Sequence, residues 1–194
     1  MLLSLLDNPW PIALALLGMT AILGLTGIHR DDRRLMHASA APAAFAVLLV
    51  TASMAVTTPA ERGLLVVRTL VKAAEDADVE TARGLFSDRA TMSIGSPSNP
   101  GESIEVIQAR LELLRTRYRI ASASLTRRDA RSDSWSQATV DFSVVTDLEA
   151  GYGYAIPTSW IARIERQPDD SWVITHLTWT RVNLNQTPTR DMLR

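Results

Sequence analysis

Two uncharged apolar runs, Trp10 to Ile28 and Ala38 to Val56, constrain this chain more than any other feature. Each approaches the roughly 20 residues that a helix needs to cross about 30 Å of hydrocarbon. The polar stretch between them, His29-Arg30-Asp31-Asp32-Arg33-Arg34, leaves room only for a tight connection. The pair predicts a transmembrane helical hairpin over residues 1–59, with spans at 10–28 and 38–57. A cleaved signal peptide fits poorly, because it needs a positive leading region and a small-x-small cleavage site. Here the leading residues carry Asp7 and no Lys or Arg, and a second apolar run follows at once. A buried helix of a water-soluble protein also fits poorly. Ser39, Thr51 and Ser53 are small enough to bond back to helix carbonyls, and Ala- and Ser-rich faces suit close packing in lipid. Trp10 suits the membrane interface, and Pro9 and Pro11 suit a helix start, where N–H groups lack partners anyway.

Arg30, Arg33 and Arg34 crowd the connecting loop, and the leading tail has no basic residue. Positive residues favour the cytoplasmic side, so the loop is expected in the cytoplasm and both chain ends outside. Arg62, Arg68 and Lys72 follow the second span and blunt this bias.

Beyond the hairpin about 135 residues remain, enough for one domain with a real core. The first 60 residues carry three acids and three Arg, so this remainder holds the whole net charge of −1. A near-neutral domain gives no argument for nucleic acid. The chain contains no Cys, which excludes disulfides, thiol catalysis and Cys-ligated zinc. Of three His, two (His29 and His37) flank the loop between the apolar runs, and no His-Glu-x-x-His spacing occurs. Neither a metal nor a cofactor is expected.

From Ala60 the periodicity becomes helical: Leu64, Val67, Leu70, Val71 and Ala74 form one stripe over 60–76. Pro59 bends the chain at Thr58. Asp78 can cap a second helix carrying Val79, Ala82, Leu85 and Phe86. A short strand at 90–94 precedes the Gly95–Gly101 loop, and a third helix is expected over 102–116 on Ile104, Ile107, Leu111 and Leu114. Then the period changes to two. Strands are expected at 118–128, 135–147, 154–166 and 171–182, with turns at Gly151-Tyr152-Gly153 and Pro168-Asp169-Asp170. In the second of these strands Ala138, Val140, Phe142 and Val144 share one face. The polar tail 185–194 is expected to be loose. Helices followed by long antiparallel strands make an α+β domain with helices on one sheet face.

This order resembles the NTF2-like superfamily, with its SnoaL-like and ketosteroid-isomerase-like proteins. The resemblance covers residues 61–184 and rests on three stretches. They are the opening helix pair from Leu64 to Asp78, the Leu85-Phe86-Ser87-Asp88-Arg89-Ala90 exit into a strand, and the final Asp170-Ser171-Trp172-Val173-Ile174-Thr175-His176 strand. It implies a cone: three helices packed on a curved antiparallel sheet, with a pocket between them. Anchored versions of this fold occur in bacteria, among them secretion-channel components, which usually carry a single span. The expected location is therefore a bacterial inner membrane, with the domain on the periplasmic side.

Enzymes of this superfamily place a carboxylate or His in the pocket, often beside Tyr. Strand alternation puts Trp172, Ile174 and His176 on one face, so His176 is a candidate acid or base, set against a core-edge His bonded to a backbone carbonyl. Tyr118, Tyr154, Trp160, Trp172 and His176 are the candidate pocket residues. Asp141 is expected to face away from Phe142 and into solvent. No Tyr/Asp pair matches the isomerase pattern, so no catalytic role transfers. Seven Arg between 110 and 131 read first as a solvated face, then as a contact for anionic lipid or an acidic partner. The last strand carries large apolar residues on both faces, which implies a cover for the outer one. That expectation assigns Leu177 and Trp179 to a homodimer or a membrane-protein interface. The leading expectation is a non-enzymatic membrane-anchored binding or assembly protein. The alternatives are a tethered isomerase- or dehydratase-like enzyme and a module that holds a small ligand.

Overall fold

The computed structural model describes residues 7–116, 119–148, 155–183, 185–189 and Met192, apart from the side chains of 110 and 114–116. The chain divides into two compact units, Met1–Thr58 and Pro59–Arg194.

The first unit is a helical hairpin of α1 (Trp10–His29, 20 residues) and α2 (Arg33–Ala55, 23 residues). At 1.5 Å per residue these are about 30 and 35 Å long, and both are long and apolar enough to cross a membrane. Asp32 caps α2, its carboxylate accepting from Arg34 N at 2.9 Å. The buried residues of the two helices are small or compact: Ala13, Gly27, Pro42 and Ala46. Large side chains point outward instead; Ile22, Leu25, Leu48 and Met54 are each more than 60% exposed. The hydroxyls of Thr20, Thr26, Ser39, Thr51 and Ser53 all donate back to carbonyls three or four residues earlier. Such internal satisfaction is what hydrocarbon demands of a polar side chain.

Gly27 sets how closely the hairpin closes. A Cβ there would lie 2.9 Å from Met36 N, a backbone atom that cannot swing aside. Gly27→Val should therefore splay the helices. In the Cys-free chain, a Gly24→Cys/Ser39→Cys pair reports this directly, since those positions face each other. Disulfide formation is expected in the parent and is expected to fail when Gly27→Val is added.

The second unit begins with α3 (Pro59–Glu75), then α4 (Val79–Gly84). Ala77 takes a positive φ of 53° between them, and Asp78 caps α4 through Thr81 N at 3.0 Å. The Thr81 hydroxyl and N–H hold the Asp78 carboxyl below its ordinary range. Next come β1 (Phe86–Ile94), α5 (Ile104–Thr116), β2 (Ile120–Ser134), β3 (Gln137–Leu148), β4 (Ile156–Arg166) and β5 (Trp172–Val182). The first strand starts four residues before the expected Ala90. The sheet order is β1-β5-β4-β3-β2, with β1 parallel to β5 and the other pairs antiparallel. The sheet is thus mixed: after β1 the chain crosses through α5 to β2 at the opposite edge and returns by antiparallel steps to β5, which lies beside β1.

α3 lies on β3. A Cβ on Gly63 would sit 3.1 Å from both Ala138 Cβ and Val140 Cγ2, and Ser132 Oγ accepts from Ala60 N at 3.0 Å. Val66, Val67, Leu70 and Ala73 form its buried stripe. Ala138, Val140, Phe142 and Val144 are buried as their alternation predicts, and they meet Ala162 and Ile164 of β4 and Ile174 of β5. Asp141 faces the other way and lies 3.5 Å from Arg127.

Bulges shape the sheet. β2 carries residues without an opposite number on β3 at Ala121, Thr126 and Asp133, and β5 does so against β4 at Thr175 and Thr180. Each extra residue bends its strand and raises local twist. Each also switches which side chains face inward.

The bulge at Thr175 corrects the expected faces of β5. Ile174 stands opposite Ile164, and His176 stands opposite Arg163. Trp172 and Ile174 therefore face the core, but His176 does not share their side. Leu177 and Trp179, expected on the outer face, point inward and are 7% exposed. The interface assigned to them is not on the surface. Between the inward positions, β4 and β5 present a mixed set, Ser159, Ile161, Arg163, Glu165, Val173, His176 and Thr178.

Two further expectations meet the structure. In the Arg-rich run, Arg127 pairs with Asp129 and Arg131 with Asp133, at 2.8 and 3.1 Å. Along β2, then, this part of the run is a charge-balanced solvated edge. The polar tail turns back early: Gln186 bridges Val182, and Pro188 is buried.

Candidate ligand pocket

A cavity of 420 Å³ opens between the helices and the sheet. One wall comes from α3 (Leu70, Val71, Ala74) and α5 (Ile107, Leu111). The deep end is built from Phe86 and Met92 on β1, Phe142 on β3, Trp160 on β4, and Leu177 and Trp179 on β5, all but Trp160 fully buried. The outer half starts at Val144 of β3 and Thr158 of β4, which stand opposite each other, and its rim is half-buried: Ile120 and Ala123 of β2, Thr146 and Leu148 of β3, and Ile156 of β4. Interiors normally leave few voids larger than a water molecule. A volume in the few-hundred Å³ range is that of a ligand pocket.

The indoles of Trp160 and Trp179, opposite each other on β4 and β5, stack with centroids 5.5 Å apart and planes 13° from parallel. Their N–H groups are both committed. Trp160 Nε1 donates to Thr158 Oγ1 at 2.9 Å, and Trp179 Nε1 donates to the Arg181 carbonyl at 3.0 Å. Thr158 Oγ1 in turn donates to the Val144 carbonyl at 3.3 Å. Among the described lining residues there is no Asp, Glu, His, Lys, Arg or Tyr. Among the described lining residues, then, no side chain has a pKa suited to moving a proton.

The expected pocket residues divide. Trp160 lines the cavity. Trp172 packs on the core but is not part of the lining. Tyr118 and Tyr154 lie outside the described residues. His176 stands apart, on the opposite side of β5 from Leu177 and Trp179. Its Nδ1 is 2.7 Å from Thr91 Oγ1, and its Nε2 is buried without a hydrogen-bond partner. Burial, and then the charge of Arg163, hold the imidazole pKa below its ordinary value. The residues that the sequence reading missed are the aliphatic and aromatic ones of the deep end, Leu177 and Trp179 above all.

No family model and no curated protein matches the sequence. Solved structures do match. A Pseudomonas putida protein described as NTF2-like and of unknown function aligns at a TM-score of 0.50 with 10% identity, over 65% of this chain and 90% of its own. The fold is NTF2-like. A Mycobacterium tuberculosis protein described as of unknown function aligns at a TM-score of 0.51 with 15% identity, over 63% of this chain and 74% of its own. Identities this low speak for the NTF2-like fold alone and carry no activity across.

The depressed pKa of His176 makes a testable statement about the NTF2-like domain. The unfolded chain takes up a proton near the ordinary value of about 6.5, while the folded chain resists until lower pH. Between those two pKa values the unfolded state binds more protons, so stability falls as pH falls. Above about 6.5 the stabilisation is complete; below the folded pKa the loss stops growing. His176→Asn should flatten the dependence of Tm on pH through this window relative to the parent, by thermal melts of the two proteins side by side. A parallel pair of curves would contradict the assignment.

Proposed function

We propose that this chain is a membrane-anchored binding protein whose NTF2-like domain holds a small apolar molecule without transforming it. The observation that carries the reading is the 420 Å³ cavity lined without a titratable side chain among the described residues. The alternative of a tethered isomerase or dehydratase relied on His176 as acid or base. That role has no support from a side chain on the far side of β5 from the cavity.

The anchor is supported by the exposed apolar surface of α1 and α2. A contiguous surface of this kind is not left to water. The Arg-rich loop favours a cytoplasmic hairpin turn, with the domain on the periplasmic side of a bacterial inner membrane. Two measurements test the anchor. Carbonate washing should leave the full-length chain in the membrane pellet. A Ser98→Cys variant, placed on an exposed loop, should react with an impermeant maleimide in intact cells. Extraction into the aqueous fraction would overturn the anchor, and labelling only after lysis would reverse the orientation.

The pocket is tested with the uncharged probe diphenylhexatriene and full-length protein in lipid nanodiscs. A Trp10→Phe background removes the indole nearest the start of α1. Energy transfer from the domain tryptophans to the probe is expected, and its absence would sink the binding reading. Mass photometry of the same sample reads assembly with a second copy or with another membrane protein.

A further inference from the structure

Resting on that reading, we infer that the occupant is the hydrocarbon chain of a single-chain amphiphile, inserted end first with its polar head left at the rim. Three observations lead there. First, the hydrogen-bonding capacity at the deep end is spent within the protein. Trp179 Nε1 is bonded to the Arg181 carbonyl and Trp160 Nε1 to Thr158 Oγ1, and the other deep-end side chains, Phe86, Met92, Phe142 and Leu177, carry no polar hydrogen. A ligand polar group carried to that depth would lose its water and gain no partner, which is a large penalty for a neutral group and a prohibitive one for a carboxylate.

Second, polarity rises toward the rim. The two lining hydroxyls, Thr146 and Thr158, both belong to half-buried residues of the outer half. The cavity is therefore graded from hydrocarbon to hydroxyl, as an amphiphile is.

Third, the wall suits a flexible chain better than a rigid ring. The two indoles stack on each other rather than flanking a gap, so they do not clamp a broad ring system between them, and an elongated guest is favoured over a wide one. The remaining wall is mostly branched aliphatic, with Met92 at the deep end. These side chains make dispersion contacts from many directions, and thioethers adapt their shape to a mobile guest.

The test is photo-crosslinking in full-length protein in nanodiscs, using dodecanoate that carries a diazirine either at the chain terminus or beside the carboxylate. Terminal label is expected on Met92 and Leu177, and head-side label on Leu148 and Ile156. Ala123→Trp, which fills the cavity from its wall, should lower both by at least about tenfold. The same diazirine placed at the acyl terminus of a lysophospholipid doped into the nanodisc identifies the source. Labelling of the deep end by the lysophospholipid marks a single-chain lipid drawn from the bilayer, labelling by free dodecanoate alone marks a soluble amphiphile, and deep-end labelling by a two-chain phospholipid carrying the same group would overturn the single-chain assignment.

Equal deep-end labelling by both dodecanoate probes would overturn end-first insertion. Labelling confined to α1 and α2, with diphenylhexatriene transfer retained, would overturn the chain as occupant while leaving the pocket reading intact. Loss of both signals would remove both.

Discussion

Ala123→Trp is expected to abolish ligand binding in a domain that still folds. Ala123 is a half-buried rim residue on β2 that packs on the edge of the core and lines the cavity. An indole placed there has empty volume to enter, so it avoids the 1–3 kcal/mol that overpacking a filled core costs. It denies a guest about 120 Å² of apolar contact, which at roughly 25 cal/mol per Å² is about 3 kcal/mol. That loss corresponds to about a hundredfold in Kd. Titration of diphenylhexatriene against parent and variant, both in nanodiscs, measures it. Circular dichroism and an unchanged melting temperature establish that the fold is intact. A variant that binds as tightly as the parent would mean the probe sits elsewhere, in the spans or in the bilayer.

The double substitution Leu177→Ser and Trp179→Ser should unfold the domain. If these residues formed an outer docking face, the variant would be a well-folded protein that no longer associates. The structure has them 7% exposed on the inner side of β5. Truncating a buried Leu costs about 2–5 kcal/mol and a buried Trp about 3–5 kcal/mol. Loss of the Trp160 stack adds about 1 kcal/mol. The sum rivals the 5–15 kcal/mol by which whole domains are stable. Loss of cooperative melting, with proteolysis of the domain but not of the α1–α2 hairpin, is the expected outcome. A folded variant with normal melting and altered association would restore the surface assignment.

The contrast between β3 and β5 explains how much could be read in advance. On β3 the alternation Ala138, Val140, Phe142, Val144 runs unbroken opposite β4, and all four are buried. Alternation there is a property of local geometry, so periodicity reports it faithfully. On β5 the inward set is Trp172, Ile174, Leu177, Trp179, and the step of three between Ile174 and Leu177 is the footprint of the extra residue Thr175. That footprint stood in the sequence as large apolar residues on apparently both faces. It reads equally well as a strand covered on two sides, and only the register with β4 decides between them.

The helix stripes were legible for the same reason as β3. The 3.6-residue period identified Val67 and Leu70 as buried, and Asp78 as a cap, without reference to any other element. The cavity was not legible. It is defined by what Leu70, Phe142 and Trp179 together leave unfilled, and these residues are brought together only by the fold. No window of sequence contains that information. His176 was misplaced by one bulge, and with it went the candidate for proton transfer.

The bulged β2 has a consequence for the company this protein keeps. Among the described residues it is one of the two edges of the sheet, and an unpaired strand margin is the usual template for runaway association between molecules. Three surplus residues interrupt its ladder, and Arg127, Asp129, Arg131 and Asp133 stud its second half with alternating charge. A foreign strand laid along it would lose register within a few residues and would have to strip solvated ions. The sheet therefore stops growing at β2, and crowding many copies side by side does not invite them to fuse into fibrils.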